Sequence, residues 1–160
     1  MSDGPSGRAK LAIVWLLLGA LVFVGMQWWL REQQQTRFRV QGGVIELRRG
    51  VDGHYHWPGT INGRAVDFLV DTGATGTAIP AALAHELGLT LADEVQSSTA
   101  GGLVRGHETR ADVMLQGGVQ AEHLRITALP QLSSPLLGMN VLGRLRWHQR
   151  DGVLTIEFQR

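Results

Sequence analysis

From Leu11 to Leu30 the chain is apolar and carries no charge; beyond Arg39 it changes to short runs in which apolar and polar positions alternate. At about 1.5 Å rise per residue the first run matches a hydrocarbon core of roughly 30 Å, so it predicts one transmembrane helix. Arg8 and Lys10 before it also suit a signal peptide. The run is long for such a core, however, and no small-x-small site closes it. It ends instead in Trp28, Trp29 and Arg31, residues at home in a headgroup interface, which favours an uncleaved anchor. The expected organisation is a polar tail over 1–10, a transmembrane helix over 11–30, a charged, Gln-rich stalk over 31–43 and one domain over 44–160.

The alternating part predicts a mainly β domain. Strands are expected over Val44–Arg49, Tyr55–Ile61 and Arg64–Val70, with Asn62-Gly63 turning the chain between the last two. In the third strand Val66, Phe68 and Val70 share one parity, and the strand delivers the chain to Asp71. Ala81–Leu87 predicts a short helix, with Leu83 and Leu87 on one face, Pro80 at its start and Gly88 as its stop. Glu94–Thr99 and Leu103–Leu115 flank Gly101-Gly102 as a hairpin, and Val119–Leu129 follows the Gly117-Gly118 turn. Leu136–Leu145 is apolar with two glycines, and Asp151-Gly152 precedes a last strand over Val153–Phe158.

With 160 residues there is room for one domain beside the anchor. A formal net charge of +1 supplies no field for nucleic acid. The lack of cysteine excludes a disulfide framework and a thiolate metal site. His54 and His56 share a strand face, but no third ligand lies near them in sequence; one solvated face opposite Tyr55 and Trp57 is the better reading, and no metal is expected.

The sharpest chemical signal is Phe68-Leu69-Val70-Asp71-Thr72-Gly73-Ala74-Thr75. A carboxylate here follows an apolar strand and precedes a small hydroxyl residue and a glycine, so the backbone turns tightly beside a rigidly held acid. Asp-Thr-Gly is also ordinary turn chemistry at a strand end. What sets this segment apart is its resemblance to the active-site motif of retropepsin-like (clan AA) aspartic peptidases, specifically the bacterial membrane-anchored members. A second segment, Leu136-Leu137-Gly138-Met139-Asn140-Val141-Leu142, resembles the apolar-apolar-glycine element and short helix of that family. Thr99-Ala100-Gly101-Gly102 lies where the family carries its flap, although relatives often have Asn at the position of Gly101.

The resemblance implies a retropepsin-like closed β-barrel, an acid-protease half with one or two short helices. It implies an aspartic endopeptidase that needs no cofactor, with Asp71, Thr72 and Gly73 catalytic and Ala74, Ala100, Gly101 and Gly102 meeting substrate. By the same resemblance Thr72 locks two active-site loops together through its hydroxyl, and Gly73 allows close approach at an axis. Many bilobal relatives have Ser or Thr at the position of Ala74; a donor to the ionised carboxyl lowers its pKa, and alanine supplies none. Activity is therefore expected to reach mildly acidic or neutral pH, and a pH–rate profile confined below about 3.5 would contradict this.

A dyad needs two acids, and this chain has one such motif. Asp67 precedes Asp71 by four residues on the same strand, hence about 13 Å away at roughly 3.3 Å per residue. Asp93, Asp112 and Asp151 lack the Thr-Gly context. A twofold homodimer that brings Asp71 to its symmetry mate is the simplest solution. The expected partners are thus a second copy, a polypeptide substrate and the lipid bilayer. The competing reading is a catalytically silent member of the fold that dimerises or binds peptides. Arginines after the anchor outnumber the basic residues before it, which by the positive-inside rule favours a cytoplasmic domain; the resemblance implies the periplasmic side of a bacterial inner membrane instead, and that is the expectation adopted.

Overall fold

A computed structural model describes the backbone of residues 7–35, 38–41, 43–99 and 102–157, and side chains at 11, 13–26, 43–99 and 102–157. The chain divides into two compact units, Met1–Arg37 and Phe38–Arg160.

In the first unit, helix α1 runs over Gly7–Gln35. Its described side chains are apolar or glycine, and the large ones, from Leu11 to Met26, are more than half exposed. The expected span, Leu11–Leu30, continues past them. Among the described residues no helix is long and apolar enough to cross a membrane.

The second unit is β-rich. Strands β1 (Phe38–Gln41), β2 (Val44–Arg48), β3 (His56–Ile61), β4 (Arg64–Val70) and β5 (Thr77–Pro80) lead to helix α2 (Ala81–Glu86). Then come β6 (Glu94–Thr99), β7 (Gly102–Leu115), β8 (Val119–Leu129), the two-residue β9 (Leu136–Leu137), helix α3 (Met139–Leu142), β10 (Arg146–Arg150) and β11 (Val153–Glu157). Two sheets result. One has the order β1-β2-β11-β10; the other has the order β3-β4-β9-β5-β8-β7-β6 and curls until β3 also pairs with the end of β7. This is a mainly β domain with two short helices, as the alternation predicts, and the larger sheet closes on itself through β3 and β7.

Turn chemistry fixes the register. Asn62 and Gly63 both take positive φ, 47° and 81°, so Ile61 pairs with Arg64 across a two-residue turn of the kind that suits twisted strands. Asp151 and Gly152 repeat the device at 49° and 75° between Arg150 and Val153. Because side chains alternate along a strand, each register decides which residues face inward. Ile45 and Leu47 of β2 meet Ile156 and Leu154 of β11, all buried. Trp57 of β3 lies opposite Phe68 of β4, both fully buried, and the Trp57 indole N–H donates to the Gln116 carbonyl at 2.9 Å. Burial of one such side chain contributes about 1.5–3 kcal/mol. Val66 and Phe68 thereby bury the inner face of β4, and Val70, half-buried, packs against the same core at the residue before Asp71.

Three strands lie where the sequence reading places none. β1 falls within the segment read as a stalk; its four residues are held by antiparallel pairing to β2. β10 is exposed at every position and exists because β11 folds back on it. β5 is three buried residues and a half-buried proline, too short to show a period of two.

Candidate active site

Val70 ends β4, and Asp71 begins the loop to β5. The loop is set by what threads between those two strands. β9 runs parallel to β4, pairing Leu69 with Leu136 and Val70 with Leu137, and antiparallel to β5, pairing Ala78 with Leu136. The Asp71 N–H donates to the Leu137 carbonyl at 3.0 Å, so the acid leaves the sheet at a fixed height. Farther along, the Met139 N–H donates to the Ala74 carbonyl at 2.8 Å and the Asn140 N–H to the Thr75 carbonyl at 3.1 Å. The first turn of α3 thus caps the loop carbonyls, while the loop satisfies amides that a helix start leaves unpaired.

Gly138 makes this approach possible. A Cβ there would overlap the Gly76 carbonyl and lie 3.0 Å from the Ala74 oxygen. Its φ of −95° is open to any residue, so the requirement is for space rather than for an unusual backbone.

Asp71 is half-buried, and Thr72 and Gly73 are exposed. The Gly73 N–H donates to Asp71 Oδ1 at 2.9 Å, and the Ala74 N–H approaches the Asp71 carbonyl at 3.3 Å. One carboxyl oxygen is therefore oriented by the loop's own backbone. Thr72, Gly73 and Ala74 follow Asp71 in this turn, with Ala74 half-buried. Ala100 and Gly101 lie outside the described residues. Gly102 opens β7, paired with Thr99, with φ at +109° and open space around it; the Thr99 hydroxyl donates to its carbonyl at 2.8 Å.

Asn140 and Thr77 are not among the site residues that the sequence motifs mark. The Asn140 Oδ1 accepts from the Thr77 N–H at 3.0 Å and from the Thr77 hydroxyl at 2.8 Å, while its Nδ2 donates to the Arg125 carbonyl of β8 at 3.1 Å. Thr77 is 1% exposed, and its Oγ1 in turn accepts from the Gly138 N–H at 3.3 Å. One carboxamide thus fastens α3, β5 and β8 behind the Asp71 loop. The available signal was an amide residue two positions after the close-approach glycine, inside an otherwise apolar run.

Asp67 stays on the outer face of β4, well away from the loop, and is engaged by His56 instead: the His56 Nδ1 lies 2.8 Å from Asp67 Oδ2, and its Nε2 lies 2.8 Å from Asp52 Oδ2. Among the described residues no group of three or more His, Asp or Glu side chains is arranged to hold a metal ion.

Comparison with known proteins agrees with this geometry. Residues 57–144, from β3 through α3, match the family described as "gag-polyprotein putative aspartyl protease". The uncharacterized protein RP867 of Rickettsia prowazekii is 27% identical over 124 residues, which is 75% of this chain. The chain spans about half, 53%, of the length of that curated relative. The crystal structure of a retropepsin-like aspartic protease from Rickettsia conorii superposes with a TM-score of 0.59 at 24% identity, covering 72% of this chain and 91% of that one. EIAV protease complexed with the inhibitor HBY-793 follows at a TM-score of 0.47 and 19% identity, over 59% and 90% of the two chains. The matched family region contains both the Asp71 loop and the β9–α3 element that locks it, and the chain belongs to the retropepsin-like aspartic protease family.

Proposed function

We propose that the chain is an aspartic endopeptidase that works as a homodimer, one Asp71 from each copy, tethered to a membrane by one helix over Leu11–Leu30. The observation that carries this reading is the Asp71 loop itself. A single half-buried carboxyl stands on a loop fastened by Leu137, Met139 and Asn140, beside exposed Thr72 and Gly73, and the sequence offers no second Asp-Thr-Gly. Isologous pairing at that surface covers the exposed residues and supplies the missing acid.

Two carboxyls at close range cannot both ionise, so the pair holds one proton between them. The ionised member takes a proton from a water molecule as that water's oxygen attacks the peptide carbonyl carbon. The protonated member donates its proton to the carbonyl oxygen, giving a neutral tetrahedral diol. Collapse of the diol returns a proton to the leaving amine and breaks the C–N bond. The Gly73 N–H on Oδ1 keeps the carboxyl plane fixed through these transfers. Ala74 and the flap residues Ala100, Gly101 and Gly102 contact an extended polypeptide, the flap closing over it and excluding water. No cofactor enters these steps.

The uncharged length of Leu11–Leu30 supports the anchor, and confinement to two dimensions raises the effective concentration of a weak pair. The domain is assigned to the periplasmic side of a bacterial inner membrane; digestion of the domain by protease added to spheroplasts is the expected result, and protection until lysis would reverse the assignment. Dimer dependence is tested by dilution. Turnover per chain of the detergent-solubilised full chain should fall as the measured mass drops from dimer to monomer. Undiminished turnover by a monomer would reject the one-acid-per-chain scheme.

A further inference from the structure

Three segments converge on His56. Asp52 lies in the Gly50–Gly53 turn, which carries the chain from β2 in the four-stranded sheet to β3 in the larger one. His56 opens β3, opposite Leu69 of β4; Asp67 is its diagonal neighbour on the same face of β4. The imidazole is bracketed, with Asp52 Oδ2 at 2.8 Å from Nε2 and Asp67 Oδ2 at 2.8 Å from Nδ1.

This bracket constrains the proton count. A neutral imidazole has one N–H, so it can donate to one carboxylate only and must turn a lone pair toward the other. Two carboxylates at 2.8 Å on opposite ring nitrogens call for both nitrogens to be protonated. The bracket is therefore complete with imidazolium and loses one arm when the ring deprotonates.

The arms join parts that bear on Asp71. The Val70 N–H, one residue before the acid, donates to the Tyr55 carbonyl at 2.9 Å, and Tyr55 immediately precedes His56. The turn holding Asp52 is tied back at both ends: the Gly50 N–H donates to the His54 carbonyl at 2.6 Å, and the Arg49 N–H to the Gly152 carbonyl at 2.9 Å. We propose that Asp52, His56 and Asp67 form a proton-operated clasp, closed by imidazolium, that fastens the turn between the two sheets onto the strand presenting Asp71. The link to turnover rests on the peptidase reading above; the clasp itself does not.

The electrostatic surroundings agree. Partial burial opposes the charged ring, but the hydrogen bonds to Asp52 and Asp67 outweigh it and raise His56 above its ordinary 6.5. The His56 hydrogen bond, with help from the His54 N–H, lowers Asp52 below 3.8. Among the described residues the titratable groups against the ring are Asp52, from the turn, and Asp67, from β4. The adjoining groove of about 370 Å³ adds Ala65, Val66, Leu69, Leu83, Ser134 and Pro135, none of them charged. Arg49 is committed elsewhere, its guanidinium 5.5 Å over the Tyr55 ring. A raised histidine contributes stability that is complete below its unfolded pKa and is lost as pH rises through the folded value. A lowered aspartate contributes stability that is lost as pH falls. The clasp thus holds from about pH 4 to about 6.5 and opens above.

The test is a pH series on the full chain. Nuclear magnetic resonance of the His56 ring is expected to show a pKa above 6.5 that falls in Asp52→Asn and falls again in Asp52→Asn/Asp67→Asn. Thermal unfolding of the wild type should exceed that of His56→Gln at pH 6, and the gap should shrink by at least half by pH 8. Titration of His56 at or below 6.5 in the wild type, or parallel unfolding curves for wild type and His56→Gln, would overturn the clasp. Should His56→Gln not fold, Asp52→Asn on the exposed turn carries the same comparison. Both readouts are independent of peptide cleavage, so an inactive chain with a shifted His56 rejects the peptidase reading and retains the clasp.

Discussion

Mixing wild-type chains with an equal amount of Asp71→Asn chains is expected to halve the turnover of each wild-type chain, although no wild-type protein has been removed. Random reassortment leaves about one quarter of the dimers with two wild-type acids, whereas independent monomers would keep one half of all chains active. The pure variant should lose at least about 10³-fold in kcat, because it removes the general base and the general acid together. Its unfolding temperature should stay close to wild type, since the one side-chain hydrogen bond at stake, from the Gly73 N–H, can be accepted by the asparagine oxygen. Activity strictly proportional to the wild-type fraction would show that each chain carries a complete site. Cleavage that survived in the pure variant would remove Asp71 from the chemistry.

Gly138→Ala carries the second large effect, on stability first and turnover as a consequence. The added carbon would meet the Gly76 carbonyl and the Ala74 oxygen, and these are backbone atoms of the loop that presents Asp71. No side chain can swing aside to relieve the overlap. Either β9 withdraws, lengthening the Asp71-to-Leu137 and Met139-to-Ala74 hydrogen bonds, or the loop itself shifts. Overpacking of this kind costs about 1–3 kcal/mol, and the rigid neighbours place this position at the upper end. A misplacement near 1 Å at the acid further lowers rate by about 10²-fold. Denaturant unfolding of the variant beside wild type measures the first, and peptide cleavage at a temperature where both are folded measures the second. A variant within about 0.5 kcal/mol of wild type would mean that the loop and β9 do not approach as described.

The two substitutions separate chemistry from support. Asp71→Asn should remove turnover and keep the fold, whereas Gly138→Ala should weaken the fold and carry turnover down with it. The Asn140 carboxamide, with three hydrogen bonds to Thr77 and Arg125 behind the same loop, belongs to the supporting side.

How much of this was legible beforehand follows from the range of the interactions. Asn62-Gly63 and Asp151-Gly152 are local turn signals, and both turns sit where they were expected because positive φ at two successive residues needs little beyond those residues. Val66 and Phe68 alternate toward the core as their parity predicts, since a half-buried strand carries its own period. The Asp71 motif stood out because a strand end, an acid and a tight turn are contiguous.

The remainder depends on residues far apart in the chain. β9 is two residues long and has no period to detect; it is a strand because Leu136 and Leu137 find β4 on one side and β5 on the other. β1 and β10 are ordered by the strands they pair with: Phe38–Gln41 alternates over only four residues, and Arg146–Arg150 shows no apolar alternation. His56 read as one of a pair of histidines on a solvated face, and only the pleat of β3 against β4, with the turn folded over it, delivers two carboxylates to its ring. The acid, its turn and the alternation that builds the sheets are written in residues adjacent along the chain. What holds the acid in place is not, because hydrogen bonds and close approaches between distant segments exist only once the chain has folded.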